Sequence, residues 1–259
     1  MRGTPPESPR GAPGAPGGQP NTVRVLEDDP DLTEGLPSEG LDELRRAAVA
    51  IVLTHERGTW PLRQQLGAQG GSLGLLVLDG LLTRNVRLAG TTATELLGPG
   101  ELLRPWDDDE FLSVPVEAWW TVLEPTRLAL LDRRFLAATA RCPALAGNIV
   151  GRYVRRSRWL MLQLALHHHR RVDTRLLVLF WNMADRFGRM TRAGVVLPTR
   201  LKHELLGSLV GAQRPSVTTA LGTLAERGLV QQIDGGGWLL HGEDPRESLS
   251  SYLEETSSG

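Results

Sequence analysis

The stretch from Arg200 to Ile233 decides the fold of this chain, and it reads R-L-K-H-E-L-L-G-S-L-V-G-A-Q-R-P-S-V-T-T-A-L-G-T-L-A-E-R-G-L-V-Q-Q-I. Its first part predicts a short helix from about His203 to Val210. Four apolar side chains share one face of that helix: Leu205, Leu206, Leu209 and Val210. Gly211 then supplies a positive φ angle, which lets the chain leave the helix sharply.

A second helix is predicted to begin near Arg214, with Pro215 in its first turn, where a missing N–H costs nothing. Its inward positions at helical spacing are Val217, Leu221 and Leu224. Its outer face carries Arg214, Ser216, Thr218 and Thr219. A short helix that buries Val and Leu and presents Arg, Ser and Thr has the composition of a DNA recognition helix. From these residues alone, a helical hairpin with a solvated polar face remains the alternative.

The residues that follow favour the DNA-binding interpretation. Leu229–Ile233 alternates like a strand, Asp234–Gly237 reads as a turn, and Trp238–Leu240 reads as a returning strand. Helix, turn, helix and hairpin together predict a winged helix–turn–helix.

Residues Arg200–Leu240 resemble the C-terminal DNA-binding domain of the CRP/FNR family of bacterial transcription regulators. The resemblance rests on L-L-G-S-L-V-G-A-Q-R-P-S-V-T-T-A-L-G-T-L-A-E-R-G-L-V and the short wing, and it extends upstream to about Val23. It implies a homodimer that binds double-stranded DNA at a pseudo-palindromic site in the cytoplasm, with RNA polymerase as a further partner. A small-molecule-binding or protein-interaction module whose helix–turn–helix does not read DNA is the alternative function.

The predicted DNA contacts follow from this resemblance and from the chemistry of the exposed side chains. Arg214 is expected to contact guanine O6 and N7. Base or phosphate contacts are expected from Gln213, Ser216, Thr218 and Thr219. Contacts with the DNA backbone are expected from Thr199, Lys202 and the wing near Gln232–Gly236. Pro215 and Thr219 stand where some relatives carry Glu and a second Arg, so the preferred DNA sequence should differ from theirs.

Charge is distributed unevenly along the 259 residues. Residues 21–140 carry 19 acidic and 11 basic side chains, whereas residues 141–240 carry 5 acidic and 15 basic ones. This division suits an acidic sensor attached to a nucleic-acid-binding domain. The sequence has no run of eighteen apolar residues, so we expect no membrane span. Its single cysteine, Cys142, excludes a disulfide or a multi-cysteine iron–sulfur cluster within one chain.

The overall prediction is an α+β chain. Residues 1–22 are Pro/Gly-rich and are expected to be a disordered tail. Residues 23–140 are expected to form a jelly-roll barrel like the family's cyclic-nucleotide-binding domain, because many short strands alternate with Gly, Pro and Asp turns. They begin with a helix capped near Ser38 and a strand at Val49–Leu53. Four further strands are predicted at Leu73–Leu78, Leu81–Leu88, Thr92–Leu97 and Thr126–Leu131, with a hairpin turn at Asp79-Gly80.

The region expected to bind an effector departs from the family pattern. Cyclic-nucleotide-binding members carry a Gly-Glu pair, then Arg-Ser/Thr-Ala, and the Arg pairs with the cyclic phosphate. Here the phosphate-binding position falls near Ala118, and bulky Trp119 and Trp120 replace the small pair. The acidic run Asp107–Glu110 would repel an anion. We therefore expect no cyclic AMP; Arg104, Trp119 and Trp120 are weak candidates for another effector, and a ligand-free scaffold is equally compatible.

Neither a metal site nor an enzyme is predicted. The acidic run lacks a calcium-loop pattern and is interpreted as a solvated loop. The barrel segment contains only His55, whereas a cupin metal centre needs two or three histidines. Hydrolase, kinase and dinucleotide motifs are missing from the sequence.

The remaining segments connect the two domains. Arg133–Ala140 predicts a short helix, and residues 143–171 predict the dimerisation helix and hinge, with Pro143 at its start. One stripe of that helix is expected to carry Leu145, Ile149, Tyr153, Leu160 and Leu164. His167–His169 ends the helix, where cations suit the helix dipole. Asp173 is expected to cap the first helix of a domain spanning 172–240, and residues 241–259 read as an acidic tail.

Overall fold

A computed structural model describes residues 21–66, 69, 71–107, 114, 116–242, 250 and 252. The predicted disordered tail lies outside this range except for Asn21 and Thr22. Asp108, Asp109 and Glu110 of the acidic run also lie outside it, as does most of the predicted acidic tail.

The mixed fold class is confirmed: an N-terminal β-sheet domain is followed by a long helix and C-terminal helix–turn–helix elements. The strands of the first domain, within the described residues, are β1 (Thr22–Arg24), β2 (Val49–His55), β3 (Gly58–Trp60), β4 (Gly74–Leu88), β5 (Thr91–Leu97), β6 (Leu102–Leu103) and β7 (Glu117–Leu131). Its helices are α1 (Val25–Asp28), α2 (Leu41–Ala47) and α3 (Leu62–Leu66), with 3-10 turns at Pro30–Thr33 and Pro105–Asp107.

The two long strands, β4 and β7, hold this domain together. The strands of the sheet pair antiparallel in the order β1-β2-β7-β4-β5. In addition, β3 pairs with β7 and β6 pairs with β4. The second half of β7 pairs with β2, and its first half pairs with β3. In the same way, the first half of β4 pairs with β6 and its second half pairs with β5. The register of β4 against β7 shifts between Val77 and Leu82, where β4 passes from its first half to its second.

The predicted hairpin at Asp79-Gly80 is therefore wrong, because the chain continues through these residues as one strand. Gly80 has φ 89°, and a Cβ there would lie 2.3 Å from the carbonyl oxygen of Pro125 on β7. The glycine is thus needed for an irregularity within the sheet and not for a turn at its edge.

Alternate residues of β4 enter two different cores, as the period of two requires. Leu76 packs in a cluster with helix residues such as Phe135. Leu75 packs in a second cluster with Trp60 and Trp120. The sheet therefore has one face covered by helices and one face that closes on its own interior.

The cap predicted at Ser38 is also wrong. Gly40, with φ 75°, directly precedes α2 and is its N-cap, and no side chain caps the helix. Ser38 contributes only its carbonyl oxygen, which accepts from the N–H of Leu41 at 3.3 Å.

Two helices link the domains: α4 (Arg133–Thr139) and the long α5 (Pro143–His168). The predicted stripe lies on one side of α5, but it is not buried along its whole length. Leu145 and Ile149 are each 1% exposed and pack on the β domain, whereas Leu160 and Leu164 are 40% and 56% exposed. A different exposed apolar row runs along the helix through Val150, Val154, Met161 and Leu164.

The C-terminal elements are α6 (Val172–Phe187), β8 (Arg189–Thr191), β9 (Gly194–Leu197), α7 (His203–Val210), α8 (Arg214–Glu226), β10 (Val230–Gln232) and β11 (Trp238–Leu240). The predicted bounds of α7 and the start of α8 are confirmed. β8 was not predicted. β8, β9, β11 and β10 form one antiparallel sheet, so the wing hairpin is extended by the strands before α7.

Asp173 is not the cap of α6, because the N-cap is Arg171. Asp173 lies in the first helical turn, where its carboxylate accepts from the Arg171 guanidinium at 2.6 and 3.1 Å. Within the part of the chain that the structure describes, no helix is long and apolar enough to cross a membrane.

Candidate nucleic-acid interface

Two glycines set the angle between α7 and α8. Gly211 ends α7 with φ 64° and ψ 44°, the left-handed conformation predicted for it. Gly207 lies against the turn itself: a Cβ there would be 2.5 Å from the carbonyl oxygen of Ala212. Sequence reasoning missed Gly207, whose role depends on the packing of the turn and not on its own φ angle.

The buried face of α8 is the predicted one. Val217 and Leu224 are fully buried and Leu221 is 8% exposed. Because these residues pack against α6 and α7 in one core cluster, α8 is held rigidly on the domain. The predicted contact residues Gln213, Arg214, Ser216, Thr218 and Thr219 are all exposed on its other side.

Some polar side chains of this exposed face already make hydrogen bonds within the protein, and others do not. The Thr218 hydroxyl donates to the Arg214 carbonyl at 3.1 Å and that of Thr219 donates to the Pro215 carbonyl at 3.2 Å. Among the described residues, the Arg214 guanidinium makes no hydrogen bond or ion pair. Arg214 therefore offers its donors to a ligand at no cost in internal contacts.

His203 ties α7, α8 and the wing together, and it was not among the predicted residues. Its Nδ1 lies 3.0 Å from the Thr218 hydroxyl, and its ring centroid is 6.4 Å from that of Trp238. The first residue of α7 thus contacts the recognition helix on one side and the returning wing strand on the other.

The residues that are predicted to contact the DNA backbone lie beside the wing. Lys202 is the exposed N-cap of α7, and its side chain makes no capping bond. Thr199 is partly exposed. Gly235 and Gly236 form the wing turn with φ near 87° and 86°. Arg200 was not predicted, yet its side chain lies against Gly236, where a Cβ would be 3.0 Å away.

The three weak effector candidates do not converge on one site. The Arg104 guanidinium pairs with Asp107 and donates to the Ser72 carbonyl oxygen at 2.6 Å. Trp119 lies beside Arg87, whose guanidinium is 5.1 Å from its ring centroid. Trp120 is 4% exposed and belongs to the packed interior of the sheet.

Trp119 faces a cleft of about 1120 Å³ between the β domain and the helix–turn–helix. Thr83, Asn85 and Trp119 line it on the sheet side. Arg200, Lys202 and His203 line the opposite side. The cleft separates surfaces that also touch directly elsewhere, as described below.

Comparison with known proteins identifies the C-terminal part. The family described as "Crp-like helix-turn-helix domain" matches residues 171–244, which include every element from α6 to β11. Residues 171–244 of this chain are a Crp-like helix-turn-helix domain. A comparison with curated proteins gave no match.

Solved structures of similar fold span both the β domain and the helix–turn–helix domain of this chain. A CooA mutant from Carboxydothermus hydrogenoformans has a TM-score of 0.57 at 17% identity, over 90% of this chain and 97% of that one. FixK2 from Bradyrhizobium japonicum has a TM-score of 0.56 at 14% identity, over 78% and 96%. A cyclic nucleotide-binding domain containing protein from Listeria monocytogenes has 0.59 at 16%, over 73% and 88%. At these identities the likeness shows the fold.

The first turn of α6 contains a cluster that the sequence did not reveal. Burial would raise the pKa of Asp173, but hydrogen bonds from Arg171, Tyr252 and the N–H of Thr174 outweigh it and lower the pKa to about 2. Tyr252, from the predicted acidic tail, is 3% exposed and lies in the core of the DNA-binding domain. Its ring is 5.0 Å from the Arg227 guanidinium at the end of α8.

This cluster predicts a pH-dependent stability. Because the folded-state pKa of Asp173 lies below its unfolded value, its contribution is present above about pH 4 and is lost as the pH falls towards about 2. We expect Asp173→Asn to lower the free energy of unfolding by at most about 2 kcal/mol at pH 7, since the Arg171 partner is partly exposed. Urea unfolding from pH 7 to pH 3 measures this difference. The difference between Asp173→Asn and the wild type should shrink below pH 4. The control substitution Asp42→Asn, at an exposed side chain, should change the free energy of unfolding little at any pH. A difference for Asp173→Asn that stays constant with pH would contradict this account.

Proposed function

We propose that the protein is a homodimeric, sequence-specific transcription regulator that places α8 of each subunit in a major groove. The observation that carries this proposal is the exposed Arg214, which has no partner among the described residues, on a helix fixed by its buried Val217 and Leu224. A two-fold dimer would require a pseudo-palindromic site with half-sites about one helical turn apart.

The exposed row of α5 supports the dimer. Val150, Val154, Met161 and Leu164 are 53%, 44%, 65% and 56% exposed. Their spacing of four, seven and three residues fits a heptad seam with Ser157 at the intervening position. Gly147 and Gly151 flank the row, and a Cβ at either would meet nothing within 4 Å. A second copy of α5 is the occupant that matches a repeating, self-complementary row.

We further propose that any effector is not of the cyclic AMP type. Two observations support this. The interior of the sheet is occupied by Trp60, 1% exposed, and Trp120, 4% exposed. Arg104, the basic candidate nearest this region, is engaged by Asp107 and by backbone carbonyls. A different small molecule and constitutive DNA binding both fit these contacts.

Salt dependence of DNA binding tests the interface residue by residue. If Arg200 and Lys202 contact phosphates, Arg200→Ala and Lys202→Ala should each weaken binding to all duplexes. Because a dimer loses the contact in both subunits, each substitution should reduce the slope of log K against log salt by about 2. Arg45→Ala, which removes an exposed charge on α2, is the matched control and should leave the slope unchanged. Fluorescence anisotropy with a labelled duplex measures both, with and without cyclic AMP.

Each outcome of that experiment is informative. A slope near zero for the wild type would contradict DNA binding at this surface. Equal slopes for all three variants would contradict the assignment of Arg200 and Lys202. A large increase in affinity on adding cyclic AMP would contradict the proposed effector class.

A further inference from the structure

The DNA-binding domain is docked on its own β domain through the end of α6. The guanidinium of Arg186, in the last turn of α6, contacts the carboxylate of Glu101. Their side chains are only 21% and 16% exposed. Glu101 also accepts from the N–H of Gly98 at 3.0 Å, so the same carboxylate braces the turn between β5 and β6.

An aromatic contact accompanies this ion pair. A Cβ at Gly98 would lie 2.5 Å from the ring of Phe187, so only glycine lets the ring approach the turn this closely. The Arg186 guanidinium lies 4.5 Å from the centroid of the same ring. The last two residues of α6 thus both contact one four-residue turn, Gly98–Glu101: Arg186 contacts its last residue and Phe187 its first.

Apolar contacts extend the docked surface. Leu81 of β4 and Leu96 of β5 are 3% and 4% exposed, and both belong to the core cluster of the DNA-binding domain and not to the cores of the β domain. Partly buried Leu123 packs against the same cluster. This surface buries leucines that would otherwise be exposed, so the docked arrangement is stabilised by apolar burial and oriented by the ion pair.

The first end of α6 is held by its chain connection to α5, and its last end is held by contacts with the β domain. Its first turn follows the hinge at Arg170–Arg171, and its last turn contacts Gly98–Glu101 about 24 Å away. A helix held only at the hinge can swing, whereas a helix held at both ends has a fixed direction. Because α8 packs directly on α6, the direction of α6 determines where the exposed face of α8 points.

We propose that Arg186 and Glu101 are positioning residues that latch the DNA-binding domain to the Gly98–Glu101 turn and thereby set the direction of α8. Changes in this turn of the β domain are then transmitted to the DNA-binding surface through α6. The consequence for DNA rests on the proposed function, but the latch itself is a property of the free protein.

Limited trypsin digestion at the hinge tests the latch without DNA. Arg170 and Arg171 are exposed cleavage sites, and undocking should increase their exposure to the protease. We expect Arg186→Gln and Glu101→Gln to raise the rate of hinge cleavage by roughly tenfold. Arg189→Gln, three residues along the same domain and exposed, is the control and should be cut at the wild-type rate.

The outcomes separate the latch from general damage and from the proposed function. Circular dichroism identifies a variant that has unfolded, and Arg186→Lys, which keeps the charge, should remain nearer to the wild type than Arg186→Gln. Wild-type cleavage of a folded Arg186→Gln variant would overturn the proposal, as would equal cleavage of the Arg186→Lys and Arg186→Gln variants. If hinge cleavage responds as expected while no variant of the protein binds DNA, the latch stands and the proposed function fails.

Discussion

Arg214→Ala should abolish selective DNA binding while leaving the fold intact. A bidentate arginine–guanine contact contributes about 1–3 kcal/mol of discrimination, and a dimer would lose it twice, so affinity for the specific site should fall by roughly a hundredfold or more. The guanidinium has no partner within the described structure, so its removal should leave the melting temperature unchanged. Titration of a specific and a random duplex measures the two affinities.

The contrast between the two duplexes is the informative part of the Arg214 experiment. Binding to the random duplex should change little, because phosphate contacts supply most of it. Arg45→Ala, far from the interface, should alter neither affinity. An Arg214→Ala protein that keeps wild-type selectivity would show that another side chain reads the bases.

Val154→Glu should convert the protein to a monomer. The substitution places a charge in the middle of the exposed apolar row of α5, which a second copy would have to bury. Linked half-site binding is worth about 10² to 10⁴ in affinity, so binding to a two-half-site duplex should fall by that range. Analytical ultracentrifugation gives the mass, and anisotropy gives the affinity.

Leu162→Glu is the matched control for this substitution. Leu162 is 44% exposed, the same as Val154, but it lies about 80° around the helix from that row. It should therefore leave the mass unchanged. If both variants remain dimeric, the dimer interface lies elsewhere; if both become monomers, the contact is wider than the row.

Local signals made the helix–turn–helix predictable. Gly211 and Pro215 fix the turn and the first turn of α8 through their own backbone preferences, and Val217, Leu221 and Leu224 repeat at the helical period. The structure agrees with each of these. Such features need no knowledge of distant parts of the chain.

Features that depend on distant residues were missed. Asp79-Gly80 has the composition of a hairpin turn, but β7 runs beside it and needs the glycine for close approach. The predicted α5 stripe is buried at its first end and exposed at its second, and apolar residues that pack on the β domain look the same in sequence as those left exposed. Tyr252 lies in a stretch that reads as a polar tail, and only its partners Asp173 and Arg227 reveal its place.

The site residues divide in the same way. Exposed positions on α8 follow from the helical period, so Arg214 and its neighbours could be chosen from the sequence. His203 and Arg200 could not, since their positions depend on contacts with Trp238 and Gly236. The effector candidates failed to converge because Trp119 and Trp120, adjacent in a strand, point to opposite faces of the sheet.

The central claim is that this protein reads DNA sequence as a two-fold dimer. Its most direct test is enrichment of fragmented genomic DNA by the purified wild-type protein, with sequencing of the bound fragments. We predict a shared pseudo-palindromic site whose half-sites lie about one helical turn, 10 to 10.5 base pairs, apart. Bound fragments with no common sequence, or with a single unrepeated half-site, would contradict the account.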